Sequence, residues 1–136
     1  MSTSVVNEVI NQDDVVLEAV NLQKYFPTGA SKLLQRPTQL VQAVDGVSFS
    51  LRKGKTLAIV GESGCGKSTL ARLLARLIEP TSGSVLLNGE NVSTATSKQL
   101  LRMRRDIQVV FQDPYACLNP RHSIGQSIGT PIRIQK

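Results

Sequence analysis

The sequence predicts an α/β domain with an N-terminal antiparallel β portion, and three observations lead to that fold class. A continuously apolar run at residues 57–60 is followed by a glycine-rich loop and then by apolar residues at helical spacing. Two earlier segments, 15–22 and 40–51, show the loose alternation that is typical of strands. A chain of 136 residues is long enough for one modest core. We therefore expect a strand–loop–helix unit joined to a small antiparallel sheet.

The N-terminal part is predicted to contain strands and one long loop. Residues 1–14 are polar and are expected to form a flexible N-terminus. A strand at 15–22 is followed by a loop at 27–38, which carries two prolines and a glycine. Segment 40–51 is predicted to form two short strands that turn at Asp45-Gly46, a strong turn dipeptide.

The central part is predicted to form a buried strand followed by a helix. Residues 56–60, TLAIV, suit a strand that is buried on both faces of a parallel sheet. The apolar stripe of the helix consists of Leu70, Leu73, Leu74, Leu77 and Ile78. Arg72 and Arg76 lie off this stripe, and Pro80 and Gly83 should stop the helix.

The C-terminal part is predicted to contain two strands and two helices. Residues 84–90 form a strand that ends in an Asn88-Gly89 turn. A helix from Ser97 to Arg105 follows, because Thr96 and Gln99 have the spacing of a capping box. Residues 107–111, IQVVF, form another apolar strand, residues 112–121 form a loop, and the tail from residue 122 is weakly helical.

Composition narrows the class of protein. The formal net charge is +6, but the basic residues are spread over several segments and no nucleic-acid-binding motif is present, so no nucleic acid is expected as a partner. Cys65 and Cys117 lie far apart, which fits a reducing compartment. No apolar run is long enough to span a bilayer, and no signal-peptide pattern begins the chain. We therefore expect a cytoplasmic protein.

The segment GESGCGKS, residues 61–68, matches the phosphate-loop pattern G-x-x-x-x-G-K-[ST] in full. Glycines let main-chain N–H groups surround a polyphosphate, and the following helix adds the positive end of its dipole. Lys67 would place its charge on the β- and γ-phosphates, and Ser68 would offer a hydroxyl to Mg²⁺. The predicted nucleotide-binding residues are Gly61, Glu62, Ser63, Gly64, Cys65, Gly66, Lys67, Ser68 and Thr69. The expected ligands are ATP and Mg²⁺, as in a P-loop NTPase.

The sequences that flank the phosphate loop indicate which kind of P-loop protein this is. Residues 44–92 resemble the ATP-binding subunits of ABC transporters, in which an antiparallel strand pair leads into the phosphate loop and P-T-S-G follows its helix. Residues 107–121 look like the Q-loop region of that family. The segments GESGCGKST and YFPTG are most similar to the sequences of the dipeptide and oligopeptide importer branch. The resemblance makes residues 15–136 a partial nucleotide-binding domain of the ABC ATPase type.

The resemblance also implies roles for individual residues. Phe26 would be the aromatic that stacks on adenine, with Tyr25 as the second choice. Gln112 would join Lys67 as a catalytic residue and would point toward Mg²⁺ and the attacking water, so that Ser68 and Gln112 form the metal side of the site. The loop from Gln112 to Arg121 would contact the membrane-spanning permease subunit. A second ATP-binding subunit would complete the site, at the inner face of a bacterial cell membrane.

Three motifs of that family do not occur in these 136 residues: the L-S-G-G-Q signature, an apolar strand ending in Asp-Glu (Walker B), and the switch histidine. The one histidine, His122, adjoins the Q-loop and is therefore not the switch histidine. We therefore expect a domain truncated before the helical subdomain, able to bind ATP but not to hydrolyse it alone. Two alternatives stay open: a non-catalytic nucleotide-binding remnant, and a compact P-loop kinase that uses Asp113 as its Walker B acid.

Overall fold

The computed structural model describes residues 14–28, 39–113 and 118–134. The chain divides into two compact units, one up to Ser93 and one from Thr94. The elements in chain order are β1 (Val15–Thr28), β2 (Gln39–Arg52), α1 (Lys67–Leu74), β3 (Ser82–Leu87), β4 (Glu90–Asn91), α2 (Ser97–Asp106) and α3 (Ile124–Ile134). No helix among the described residues combines the length and apolar character that are needed to cross a bilayer.

The first unit is built on a four-stranded antiparallel sheet in the order β2-β1-β3-β4. This sheet confirms the predicted antiparallel β portion. The strand predicted at 15–22 continues to Thr28, and the remainder of the predicted loop, residues 29–38, lies outside the described residues. The predicted turn between β3 and β4 is confirmed, since Asn88 and Gly89 have φ values of 49° and 80°. Positive φ at both central residues is the geometry of a tight hairpin turn.

The predicted turn at Asp45-Gly46 is wrong, because β2 continues through it as one strand. Leu22 pairs with Val47, whereas Lys24 pairs with Val44, so β2 carries an extra residue between these pairs. Gly46 has φ 66° and provides the left-handed residue of this bulge. The dipeptide therefore bends a strand that stays paired with β1 instead of reversing the chain.

The core of the first unit lies between this sheet and α1, which contacts β2. The buried apolar residues there are Ala19, Leu22, Val44, Leu70, Leu73, Val85 and Val92. Leu22, Leu73 and Val85 are fully enclosed. Each such side chain stabilises the fold by about 1.5–3 kcal/mol relative to an exposed one.

Helix α1 ends earlier than its apolar stripe predicts, at Leu74 instead of near Pro80. Arg76 has φ 50°, and a residue in the left-handed region ends a helix. Its guanidinium is buried, donates from Nε to the main-chain oxygen of Val92 at 2.8 Å and lies 3.9 Å from the carboxylate of Glu79. Arg76, which lies off the predicted apolar stripe, is nevertheless buried, because this tertiary contact holds it.

The two predicted apolar strands, TLAIV at 56–60 and IQVVF at 107–111, are also wrong, because neither segment is a strand in the structure. A strand exists through main-chain hydrogen bonds to a neighbour, and no described strand pairs with either segment. Most of their apolar side chains are exposed instead, including Val60 at 87% and Val110 at 90%, whereas Ile107 and Val109 are half-buried. The alternative of a compact P-loop kinase, in which Asp113 follows such a strand, is therefore not supported by the structure.

The described part of the second unit contains two helices, and the first residues of both are capped. The predicted capping box of α2 is confirmed: the main-chain N–H of Thr96 donates to Gln99 Oε1 at 2.8 Å, and the Thr96 hydroxyl accepts from the Gln99 N–H. Helix α3 confirms the helical tail, and Ser123 and Gln126 form the same reciprocal pair at its start.

Candidate phosphate-binding site

The glycine-rich loop ends at Gly66, the N-cap residue of α1. Because glycine has no side chain, it leaves the first main-chain N–H groups of the helix open toward a ligand. These groups and the helix dipole make such a terminus favourable for anions. The helix begins at Lys67, so the ammonium, the Ser68 hydroxyl and these amides belong to the same turn.

Gly66 is required by both its conformation and its surroundings. Its φ of 95° lies in the left-handed region, and a Cβ placed there would be 2.1 Å from the main-chain oxygen of Ala43 on β2. Gly64 has φ 83°, but a Cβ there would meet no atom within 4 Å. A Cβ at Gly61 would lie 2.7 Å from Cys65 Sγ. Gly66 therefore lets the loop close tightly against β2, and Gly61 leaves room for the Cys65 side chain.

The ammonium of Lys67 is held across the loop by three acceptors. Its Nζ donates to the main-chain oxygens of Gly61 at 2.8 Å and Glu62 at 2.5 Å, and it lies 3.5 Å from Cys65 Sγ. The two carbonyls fix the position of the charge before any ligand arrives. A thiol is a weak acceptor, so this contact is the one that a phosphate oxygen would replace most readily.

The loop borders an open groove of about 630 Å³. Its lining includes Ala43 and Asp45 of β2 together with Gly66 and Lys67 at the end of the loop. Leu57 and Ile59 contribute apolar surface to the same groove. A phosphate-bearing ligand would thus have the charged loop beneath it and the strand alongside.

Asp45 is a groove residue that sequence reasoning missed, because its dipeptide indicated a turn. The hydroxyl of Tyr25 donates to Asp45 Oδ1 at 2.5 Å. This hydrogen bond, with smaller contributions from burial and the nearby negative charge, raises the pKa of Tyr25 above its ordinary value of 10.0. The contact joins residues 20 positions apart on neighbouring strands, so no local sequence signal predicts it.

The predicted adenine-stacking residue, Phe26, lies near the end of β1. Its side chain is 38% exposed, and the Lys24 ammonium lies 5.1 Å from the centre of its ring. Phe26 is not among the residues that line the groove, whereas Tyr25, the second choice, reaches the groove through Asp45. The stacking role of either ring stays a prediction.

The predicted catalytic glutamine, Gln112, belongs to the second unit, whereas the whole phosphate loop belongs to the first. Gln112 is exposed and follows the irregular segment 107–111. Of its predicted loop, residues 114–117 lie outside the described residues, and Arg121 donates its main-chain N–H to Asn119 Oδ1 at 3.0 Å. The role of Gln112 also stays a prediction.

The donor set in the first unit fits Mg²⁺ that arrives with a nucleotide. Within the described ranges, no group of three or more His, Cys, Asp or Glu side chains is placed to hold a metal ion. Mg²⁺ at polyphosphate sites takes its ligands from phosphate oxygens, water and one or two protein oxygens. The exposed residue Ser68 offers such an oxygen at the start of α1.

The chain is similar in sequence to several known proteins. A family model described as ABC transporter matches residues 44–135. The oligopeptide transport ATP-binding protein AppF of Bacillus subtilis is 50% identical over 120 residues, which cover 88% of this chain and 36% of AppF. The dipeptide transport ATP-binding protein DppF of Haemophilus influenzae is 49% identical over 128 residues, with 94% and 38% covered. The chain thus spans little more than a third of the length of these relatives.

Solved structures show the same fold. The dimeric structure of MJ0796, described as a bacterial ABC transporter cassette, superposes with a TM-score of 0.71 at 22% identity, and 88% of this chain and 48% of that chain are covered. The cbiO1 protein of Clostridium perfringens, part of the transporter complex cbiONQ, gives a TM-score of 0.61 at 26% identity, with 78% and 38% covered. The α/β fold of an ABC cassette is therefore confirmed for this chain.

Proposed function

Because this chain belongs to the ABC transporter family, we propose that it is part of an ATP-binding subunit that powers import of dipeptides or oligopeptides. The substrate class is supported by the names of relatives at about 50% identity, which are oligopeptide, dipeptide and di/tripeptide transport ATP-binding proteins. The observation that carries the proposal is the loop at 61–69, with its glycine N-cap and its pre-positioned Lys67. Residues 15–136 form the proposed partial nucleotide-binding domain, preceded by residues 1–14.

ATP binding would use main-chain groups and one ammonium. The N–H groups at the start of α1 would surround the phosphates, and Lys67 would exchange its contact with Cys65 Sγ for a phosphate oxygen. Thr69, which is half-buried one residue further along the helix, would face the α-phosphate region. Mg²⁺, when bound, would neutralise charge that develops on the β- and γ-phosphates, and Ser68 would hold it.

Hydrolysis would depend on positioning more than on covalent chemistry. Lys67 would stabilise the negative charge of the γ-phosphate, since its own place is fixed by the carbonyls of Gly61 and Glu62. The amide of Gln112 is proposed to orient the attacking water. Both residues are therefore proposed as catalytic residues of the complete ATPase.

The proposed partners are permease subunits and a second ATP-binding subunit. The loop from Gln112 to Arg121, whose described residues are exposed, is the proposed permease contact. Dimeric assembly is supported by likeness in fold to MJ0796, whose structure is dimeric. These contacts would place the chain on the inner face of the bacterial cell membrane.

The proposal is tested by calorimetry of the 136-residue chain with Mg-ATP. Lys67→Ala should weaken binding by at least about tenfold, because it removes charge-assisted hydrogen bonds. Lys53→Ala is the matched control, since Lys53 is exposed in the same unit and its loss changes the net charge equally. A folded chain that gives no binding heat, or a Lys67→Ala variant with unchanged affinity, would refute the proposal.

A second candidate is a nucleotide-binding chain that has no hydrolytic activity of its own. It is favoured by the sequence, which contains no apolar strand ending in Asp-Glu. The two candidates are separated by measuring ATP turnover with permease and ATPase partners added. Stimulated turnover supports the transport role, and binding without turnover supports the second candidate.

A further inference from the structure

The groove beside the phosphate loop contains a carboxylate that the proposed role of the loop leaves unused. Among the described residues that line the groove, Asp45 alone carries a carboxylate, and it lies with Gly66 and Lys67. Asp45 is exposed at the bulge of β2. Its Oδ1 accepts the hydroxyl of Tyr25, and within the described ranges it forms no ion pair.

A carboxylate in this position cannot contact the phosphates favourably, because like charges repel. An ionised carboxylate is a strong acceptor for hydroxyl and amine donors, and it offers two oxygens. The uncharged donors of a nucleoside triphosphate are the ribose hydroxyls and the base amine. Asp45 therefore matches the nucleoside end of such a ligand.

The path of β2 favours the ribose over the base. The main-chain oxygen of Ala43 closely approaches Gly66 at the start of α1, so β2 passes directly beside the phosphate position. Asp45 lies two residues further along this strand, roughly 7 Å away at about 3.3 Å per residue. The ribose is the group joined directly to the α-phosphate, whereas the base lies one group further out.

We propose that Asp45 binds the ribose of the nucleotide, one carboxylate oxygen accepting a ribose hydroxyl while Tyr25 holds the other oxygen in place. This inference rests on the proposed nucleotide binding and identifies the group that recognises the sugar. Asp45 is thus a specificity-determining residue, because it distinguishes a nucleotide from a bare polyphosphate.

Tyr25 acts as the positioning residue of this pair. Its main-chain N–H donates to the hydroxyl of Thr81 at 3.0 Å, which fixes the backbone from which its ring extends. The hydroxyl in turn restricts the rotation of the Asp45 side chain. Removing that hydroxyl should leave the carboxylate present but less ordered, so its effect should be smaller than the loss of the charge.

The test measures the affinity of the 136-residue chain for Mg-ATP, its 2′-deoxy and 3′-deoxy analogues, and inorganic tripolyphosphate. Asp45→Asn should weaken ATP binding by about tenfold, as expected for a hydrogen bond to a charged group. It should leave tripolyphosphate affinity unchanged or higher, because a negative charge is removed. Tyr25→Phe should weaken ATP binding by about threefold in the same selective way. Glu90→Gln, an exposed charge change on β4, should alter neither affinity.

The wild-type chain tests the inference without any variant. It should bind ATP more tightly than at least one deoxy analogue, and equal affinity for all three nucleotides would overturn the proposal. An equal loss of ATP and tripolyphosphate affinity in Asp45→Asn would also overturn it, since that result indicates a structural role. If the wild type binds neither ATP nor tripolyphosphate, the proposed function fails together with this inference.

Discussion

Replacing Gly66 by alanine tests the geometry of the phosphate loop most directly. The added Cβ would start 2.1 Å from the main-chain oxygen of Ala43, so loop and strand must separate by about 1 Å to relieve the contact. The left-handed conformation costs an L-residue about 1–2 kcal/mol, and overpacking adds about 1–3 kcal/mol. We therefore expect Gly66→Ala to lower the free energy of unfolding by about 2–5 kcal/mol.

Gly64→Ala and Gly89→Ala are matched controls for this substitution. Their φ values of 83° and 80° resemble the 95° of Gly66, but a Cβ at either position meets no atom within 4 Å. Each control should therefore lose only the conformational part, about 1–2 kcal/mol. Urea denaturation followed by circular dichroism measures all three variants. A Gly66→Ala midpoint equal to those of the controls would show that the loop does not press against β2.

Four further expectations follow from the structure. The Tyr25–Asp45 hydrogen bond needs the protonated phenol, so its stabilising contribution is complete below pH 10.0 and is lost as pH rises through the raised folded-state pKa; a Tyr25→Phe variant should lack this alkaline step in urea midpoints. A thiol reagent should modify the exposed Cys65, and Mg-ATP should slow that reaction, whereas labelling indifferent to nucleotide would contradict the proposed site. Arg76→Met should destabilise the chain by about 1–3 kcal/mol, because it leaves a buried carbonyl unpaired, while Arg72→Met at an exposed position should change the urea midpoint little. Phosphate release by the chain alone should stay near background, because the chain is proposed to hold only part of the catalytic site. Rapid ATP turnover without partners would contradict that proposal.

The Arg76 comparison separates burial from local helix effects. Both arginines lie near the end of α1, but only the Arg76 side chain reaches the main-chain oxygen of Val92. An equal loss of stability in both methionine variants would mean that the charge near the helix terminus matters more than the buried hydrogen bond.

Some features were predictable because their causes are local. The phosphate loop was identified from eight consecutive residues, since its amides, ammonium and hydroxyl are placed by chain spacing alone. The Thr96–Gln99 capping box and the Asn88-Gly89 turn were predicted for the same reason, and the structure confirms both. In each case a side chain or a φ preference acts within a few residues.

Other features depend on which strand lies next to a segment in the folded chain. The runs TLAIV and IQVVF have strand-like composition, yet no described strand pairs with them. The same dependence explains why Asp45-Gly46 became a bulge, because pairing with β1 continued on both sides of it.

The sequence by itself determined the family, the phosphate loop and the antiparallel strands, because spacing and alternation are properties of the chain. Only the tertiary structure decided that Arg76 is buried and that Tyr25 holds Asp45 in the groove that Lys67 also lines. Those contacts join residues that are distant along the chain. Their free energy depends on packing and on hydrogen-bond geometry, which no local pattern of residues encodes.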